Sequence, residues 1–250
     1  MRQAAATQKL YLYAITAGAD GHPFGFQGLD GGPVHAITHG RVAAVVSPVP
    51  ERLRPERRHL AAHHDVLNRL LRETAAVLPV SFGVAADGAA IQAILSRNHK
   101  AFLEQLRRVA GRVEMGLRVT WDVPNIFEYF VRTHPELRAV RDRCFGGPRG
   151  PTQEDKIEVG RVFERVLTED READAQRMEE VLAPHCAEIA RTRPRDEREA
   201  VTLACLVARD GREAFEAAVF EAAKRFDNNY AFDYNGPWAP YNFVDLRLDL

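Results

Sequence analysis

The chain has 250 residues, of which 46% are hydrophobic and 28% are charged. These values are typical of a globular protein with one large domain or two modest ones. The formal net charge is -1, from 34 Lys and Arg against 35 Asp and Glu, which argues against a non-specific nucleic-acid binder. The sequence has three widely separated cysteines and no apolar stretch of the roughly 20 residues that a membrane helix needs. We therefore expect a cytoplasmic protein without disulfides or a membrane span.

The first 110 residues show strand and helix patterns in alternation. Four apolar or aromatic runs are predicted to be strands: residues 9–15, 34–37, 41–46 and 77–82. The glycine-rich segment 18–32 lies between the first two runs and is predicted to be a loop, because glycine resists regular structure. We interpret residues 1–110 as an N-terminal α/β domain.

Two helices are predicted in this domain. The first begins near Pro55, since proline suits a first helical turn, and its apolar residues recur at helical spacing. These residues are Leu60, His64, Leu67 and Leu71. The second helix begins near Asp87 and continues to about Val109 with an apolar stripe of its own. Gly111 then marks the predicted domain boundary.

Residues 111–234 show a different order of elements. Apolar and polar residues alternate strictly over 112–121, which predicts a half-buried strand. The elements predicted after it are helical segments 125–143 and 152–182, strands 186–192 and 200–208, helix 212–226 and a last strand over 230–234. The polar stretch 168–177 of the long helix is expected to project into solvent. The order β-α-β-β-α-β predicts a ferredoxin-like domain with an antiparallel sheet, and hence a two-domain α+β fold.

Residues 235–250 form a tail that is aromatic and stiffened by proline, whereas chain ends are usually polar and poorly ordered. Its candidate anchor or partner-binding residues are Pro237, Trp238, Pro240, Tyr241 and Phe243. Two readings are open. The tail docks on the body of the protein, with Trp238 and Phe243 in a groove between the two domains, or it forms part of a contact surface for a partner.

Five sequence blocks resemble the gas vesicle accessory family GvpF/GvpL, and they occur in the order found in that family. Four are residues 10–15, 39–47, 77–83 and 111–119. The fifth is Gly236-Pro237-Trp238-x-Pro240-Tyr241-x-Phe243-Val244 in the tail. Together the blocks cover nearly the whole chain, and they leave open whether it is similar to GvpF or to GvpL.

The resemblance implies a non-enzymatic accessory or minor structural protein that is associated with gas vesicles, the structures that give cells buoyancy. It implies binding to the small hydrophobic shell protein and support for nucleation or assembly of the vesicle. Other gas vesicle accessory proteins are further candidate partners. Nucleic acid and lipid membranes are not expected as partners.

We predict no catalytic residue, no cofactor and no metal site. His59 and His63 share a helical face and could hold a metal, but no acidic or cysteine ligand lies at a matching distance. The favoured interpretation is a helix with His64 in or beside the core. Cys144 is not expected to be a nucleophile, because the sequence supplies no paired base for it. The alternative function is a small-molecule-binding sensor or enzyme on the ferredoxin-like domain, which predicts a deep pocket with converging polar groups.

Overall fold

The computed structural model describes residues 9–18, 24–49, 53–147 and 150–246. The chain divides into two compact units, of which the first consists of Met1–Glu114 together with Pro237–Leu250 and the second of Met115–Gly236. The chain therefore leaves the first unit and returns to it for its last residues. The described ranges contain two antiparallel sheets and seven α-helices, so the mixed α/β class predicted from the sequence is confirmed.

The first unit is built on a five-stranded sheet. Its strands are β1 (Lys9–Ala17), β2 (His35–His39), β3 (Val42–Pro48), β4 (Val77–Pro79) and β5 (Ala85–Asp87). Their order is β2-β3-β1-β4, and β5 also pairs with β1. The central strands β1 and β3 are buried along most of their length. The short strand β5 was not predicted, because two alanines and an aspartate give no alternating pattern.

Three helices belong to this unit: α1 (Arg57–Glu73), α2 (Gly88–Arg97) and α3 (His99–Val109). The Asp87 carboxylate accepts a hydrogen bond from the Ala90 amide at 2.7 Å and caps α2. The prediction of one continuous helix after Asp87 is wrong. Asn98, with φ -101° and ψ 10°, has left the helical conformation and separates α2 from α3.

The buried face of α1 also differs from the prediction. Its buried residues are His59, His63, Val66, Leu67, Leu70 and Leu71. Leu67 and Leu71 were predicted to be buried, but Leu60 is 37% exposed and His64 is exposed, whereas His63 is buried. The prediction of His64 in or beside the core is therefore wrong. Helical spacing permits either choice, and polar partners elsewhere in the fold favour His63.

The second unit holds a four-stranded sheet and four helices. Its strands are β6 (Arg112–Trp121), β7 (Glu188–Arg191), β8 (Glu199–Ala208) and β9 (Tyr230–Trp238), in the order β7-β8-β6-β9. The helices are α4 (Ile126–Thr133), α5 (Pro135–Phe145), α6 (Gln153–Leu182) and α7 (Arg212–Ala223). The alternation predicted for β6 is confirmed: Leu117, Val119 and Trp121 are buried on the side of the core.

Three predicted boundaries in this unit are wrong. The helical segment 125–143 is two helices, since His134 adopts an extended conformation and Pro135 begins α5. Strand β7 begins at Glu188 rather than at residue 186. Strand β9 continues to Trp238, through the Gly236-Pro237 pair that was assigned to the tail, because proline is tolerated on an edge strand.

The middle of α6 does not project into solvent as predicted. Asp174 and Ala175 are buried there, and burial raises the pKa of Asp174 to about 6. Arg171 donates from Nε to the Glu199 carbonyl and from Nη2 to the carbonyls of Asp196 and Glu197, at 2.9–3.1 Å. Arg171 therefore holds α6 against the turn between β7 and β8, although the charged residues around it in the sequence are typical of a solvent-exposed helix face.

We expect Arg171→Ala to lower the free energy of unfolding by about 1–2 kcal/mol, because it removes charge-assisted bonds to three carbonyls that retain partial access to water. Urea denaturation measures this value. The control is Arg161→Ala, an exposed position on the same helix, where a change within about 0.5 kcal/mol is expected. Equal effects of the two substitutions on the free energy of unfolding would show that the hydrogen bonds from Arg171 to the turn do not stabilise the protein.

Candidate functional site

Of the tail predicted over residues 235–250, residues 237–246 belong to the first unit, whereas Asn235 and Gly236 belong to the second. Of the predicted site residues, Pro240 and Phe243 are buried, whereas Pro237 and Tyr241 are half-buried and Trp238 is 39% exposed. A short 3-10 turn over Tyr241–Phe243 compacts the segment. The tail thus presents one large aromatic side chain to solvent and buries most of the others.

Four residues of the first unit receive the tail: His63, Val80, Gln105 and Glu114, which we call the tail seat. His63 Nε2 lies 3.0 Å from the Tyr241 hydroxyl, and this hydroxyl donates to the Val80 carbonyl at 3.4 Å. On the other side of the ring, His63 Nδ1 lies 2.9 Å from the hydroxyl of Tyr11 on β1. One imidazole therefore joins α1, β1 and the tail.

The directions of these hydrogen bonds follow from the groups at both ends. The Val80 carbonyl can only accept, so Tyr241 donates to it and accepts from the Nε2–H of His63. The unprotonated Nδ1 of His63 then accepts a hydrogen bond from the Tyr11 hydroxyl. The Tyr11 oxygen in turn accepts a hydrogen bond from the Gly83 amide at 3.2 Å. All donors and acceptors in this series of hydrogen bonds have a partner only if His63 is neutral.

Electrostatics favour the same protonation state. Burial, aided by the neighbouring His64, lowers the pKa of His63 from 6.5 to about 4, against an opposing contribution from the Val80 carbonyl. Burial and the nearby Glu114 raise the pKa of Tyr241 to about 12. The histidine and the tyrosine are consequently both uncharged at neutral pH.

Two further side chains bind the backbone of the tail. The buried carboxylate of Glu114 accepts from the Asn242 amide at 2.9 Å and from its side-chain Nδ2 at 2.6 Å. Gln105 on α3 accepts from the Asp245 amide at 2.9 Å and donates to the Asp245 carbonyl at 2.7 Å. The pKa of Glu114 is raised by burial, and the bonds from Asn242 oppose that rise. The seat therefore recognises both side chains and main chain of the tail.

Trp238 takes part in an exposed patch, which consists of Leu60, His64 and Trp238. The rings of His64 and Trp238 meet edge to face with centroids 6.1 Å apart, and Leu60 lies one helical turn before His64 on α1. Leu60 and Trp238 are 37% and 39% exposed. The patch is small and contains one aliphatic and two aromatic side chains, of which Leu60 and His64 lie on α1 and Trp238 at the end of β9.

The residues considered for other chemistry have structural partners. His59 Nδ1 lies 2.9 Å from the Arg54 carbonyl, and its Nε2 lies 3.1 Å from Asp30. Both ring nitrogens of His59 and of His63 are therefore occupied, and the described residues contain no group of three or more side chains suited to hold a metal. Cys144 is buried, and burial raises the pKa of its thiol.

Sequence reasoning missed the residues that receive the tail. Gln105 lies on helix α3 and Glu114 on strand β6, and the patterns of both elements predict only structural residues at these positions. Glu114 carries no signal either, because it occupies a polar position of the alternating strand β6, yet it is only 7% exposed. A buried carboxylate needs hydrogen-bond donors, and the sequence does not say where they come from.

Comparison with known proteins identifies the family. The sequence profile described as gas vesicle synthesis protein GvpL/GvpF matches residues 9–245. The chain belongs to the GvpL/GvpF family. The resemblance drawn from the five sequence blocks is thereby confirmed, and with it an association with gas vesicles. No helix in the described ranges combines the length and apolar character that crossing a membrane requires.

Several relatives and two solved structures of the GvpL/GvpF family are similar to this chain. Gas vesicle protein F of Streptomyces sp. (strain CB03234) is 33% identical over 218 residues, which cover 85% of this chain and 88% of the relative. Gas vesicle protein F of Dolichospermum flosaquae is 28% identical, with 95% and 98% covered. Gas vesicle protein L of the same Streptomyces strain is 26% identical, with 94% and 92% covered.

The structural neighbours confirm the fold. The crystal structure of GvpF from Anabaena sp. PCC7120 has a TM-score of 0.80 at 23% identity and covers 96% of this chain and 99% of the neighbour. The GvpF structure from Microcystis aeruginosa has a TM-score of 0.81 at the same identity, with 96% and 100% covered. The mixed α/β architecture is thus shared over the whole length of these family members.

We expect Tyr241→Phe to lower the free energy of unfolding of the first unit by about 1–2 kcal/mol. The substitution leaves the Nε2–H of His63 without its acceptor in a buried site. The control is Tyr234→Phe, because the Tyr234 hydroxyl bonds the exposed Glu216 and its loss should cost less than about 0.5 kcal/mol. Denaturant unfolding compares the two, and a neutral Tyr241→Phe would refute the hydrogen-bond chain.

The stability of the first unit should also depend on pH through His63. Because the pKa of His63 is about 4 when folded and 6.5 in the reference state, its contribution is complete above pH 6.5 and is lost as the pH falls towards 4. The expected loss between pH 7 and 4.5 is about 2–3 kcal/mol. The raised pKa of Glu114 acts in the opposite direction.

A His63→Gln variant isolates the histidine from the other titrating groups. This variant should be less stable than the parent chain at pH 7. Between pH 7 and 4.5 it should lose less stability than the parent chain, because glutamine cannot be protonated. Denaturation curves for both chains at pH 7 and 4.5 give the difference. Identical pH dependence of the two chains would mean that His63 is not the group responsible.

Proposed function

We propose that this chain is a non-enzymatic accessory or minor structural protein of gas vesicles, located in the cytoplasm and on the vesicle. It binds the small hydrophobic shell protein and supports nucleation or assembly of the vesicle. Membership of the GvpL/GvpF family, matched over residues 9–245, supports the association with gas vesicles. Other gas vesicle accessory proteins are further candidate partners.

The observation that carries this proposal is the exposed patch of Leu60, His64 and Trp238. Large aromatic side chains at a protein surface are favoured as binding anchors, because they bury much area at a small cost in conformational entropy. Trp238 is the last residue of strand β9, and the buried residues Ala239 and Pro240 follow it. A pre-organised aromatic residue loses little freedom on binding.

The patch suits an apolar partner segment. We infer that an amphipathic helix or a strand of the shell protein packs its apolar side against Trp238 and Leu60. A cleft of about 420 Å³ lies beside the tail, and Val80, Val84, Tyr241 and Val244 contribute to its lining. In this reading the tail serves both original interpretations, since its buried residues anchor it and Trp238 contacts the partner.

The same proposal includes an architecture. We infer an N-terminal α/β domain over 1–110, a ferredoxin-like domain over 111–234 and a docked tail over 235–250. The strand order β7-β8-β6-β9 with the element order β-α-β-β-α-β supports the ferredoxin-like assignment. The contacts of Tyr241, Asn242 and Asp245 with the tail seat support docking of the tail. Packing of Trp238 and Phe243 in a groove between the domains stays a prediction.

No observation favours the alternative, a small-molecule sensor or enzyme on the second unit. A cavity there between α6 and strands β7 and β8 measures about 200 Å³, which is smaller than the roughly 300–1,000 Å³ of ordinary ligand sites. Its two arginines already have partners: Arg171 binds backbone carbonyls, and Arg191 binds Glu172 and Glu179. The charges that could hold a ligand are therefore engaged within the protein.

We expect Trp238→Ala to weaken binding to purified shell protein at least about tenfold, because it removes the central aromatic group of the patch. A pull-down or a titration with immobilised chain measures the affinity. Circular dichroism should show that the variant still folds, although some stability is lost because more than half of Trp238 is buried.

The matched control is Phe220→Ala, because Phe220 is 59% exposed on α7 and lies in the other unit. Its removal should leave the affinity unchanged. Absence of binding by the intact chain would count against the proposed partner, whereas equal affinities of parent and Trp238→Ala would count against the patch.

A further inference from the structure

The tail completes a unit to which it is connected only through the other one. The chain leaves the first unit at Glu114, builds the second unit over Met115–Gly236, and supplies Pro237–Leu250 to the first. Such a segment is joined to the unit that it completes only through the whole of the other unit. Such segments can be exchanged between copies of a chain, because the contacts in the exchanged form are the same as those within one copy.

The second unit ends at Gly236, which lies within strand β9 and has an unusual backbone conformation. Gly236 has φ 127°, which lies in the region that residues with a side chain rarely adopt. A change of backbone conformation at this hinge would redirect the tail, with loss of the end of β9, Pro237 and Trp238.

The contacts of the tail form a compact and specific set. His63 receives Tyr241, Glu114 binds Asn242 through two hydrogen bonds, and Gln105 pairs with the main chain of Asp245. These are mostly side-chain contacts rather than a buried ladder of strand pairs. In an exchanged form the same contacts would be made between two copies as the first unit folds.

We propose that the tail seat of one copy can bind residues 237–246 of a second copy of this chain, so that the protein self-associates by exchange of its tail. The seat already binds this sequence within one copy, so the same hydrogen bonds would provide the affinity between two copies. The balance between the two forms depends on effective concentration. A short connection gives a local concentration of about 1 mM, so exchange is favoured at high local concentration or when the hinge is strained.

The first test strains the hinge and leaves the tail and the seat intact. Gly236→Ala penalises the φ of 127° that the closed form requires, and the expected shift in the dimer-to-monomer ratio is about tenfold. The control is Gly111→Ala, which also places a side chain at a positive φ (70°) with no neighbouring atom within 4 Å but lies outside the hinge. Light scattering after size exclusion, over a range of concentrations, measures the ratio.

The second test uses complementary full-length chains. One carries the tail changes Tyr241→Phe and Asn242→Ala, and the other carries the seat change Glu114→Ala. The intact tail of the second chain fits the intact seat of the first, so a mixture of the two should give a mixed dimer, detected with an affinity tag on one chain only. A chain that carries all three changes should not form a dimer, because neither its tail nor its seat is intact.

The outcomes decide the proposal independently of the shell protein. Dimers of Gly236→Ala in excess over Gly111→Ala, together with the mixed dimer, would establish tail exchange. Equal behaviour of the two glycine variants would overturn it, as would equal dimer formation by the chain with all three changes. Should circular dichroism show that the tail or seat variants do not fold, the two glycine variants alone decide.

Discussion

A neutral histidine at the junction of three segments is the constraint on which the first unit depends. His63 on α1 accepts a hydrogen bond from Tyr11 on β1 and donates one to Tyr241 in the tail. Each of these groups is removed from water, so losing one partner would leave a buried polar atom unsatisfied. The sheet, the helix and the tail are therefore stable together, and the segment most distant in sequence is part of the core structure.

This arrangement assigns different roles to the residues of the tail. Phe243 and Pro240 are buried, Tyr241 and Asn242 bind polar groups of the seat, and Trp238 faces solvent beside His64. An exposed aromatic residue on a mobile chain end would lose much freedom on binding a partner. Here the buried residues fix the backbone, and the same segment that stabilises the unit can offer a pre-organised surface.

The sequence predicted the features that depend on local pattern. The alternation over 112–121 predicts β6, and the helical pattern over 152–182 predicts α6, which begins with a capping box of Thr152 and Asp155. Features that depend on distant partners were predicted poorly. The choice of His63 over His64 depends on the hydroxyls of Tyr11 and Tyr241, and the burial of α6 around Arg171 depends on the carbonyls of the β7–β8 turn. Helical spacing contains neither piece of information. The aromatic residues of the tail indicated docking or binding, but not which of them would be buried.

Native-state hydrogen exchange tests the central claim, that the tail is an integral part of the first unit. The amides of Asn242 and Asp245 donate to the side chains of Glu114 and Gln105, and the Val80 amide donates to the Tyr13 carbonyl inside the sheet. If the tail opens only when the unit unfolds, the protection factors of all three amides should agree within about tenfold. Exchange of Asn242 and Asp245 at nearly unprotected rates, with Val80 still strongly protected, would show that the tail frays independently and would contradict the account.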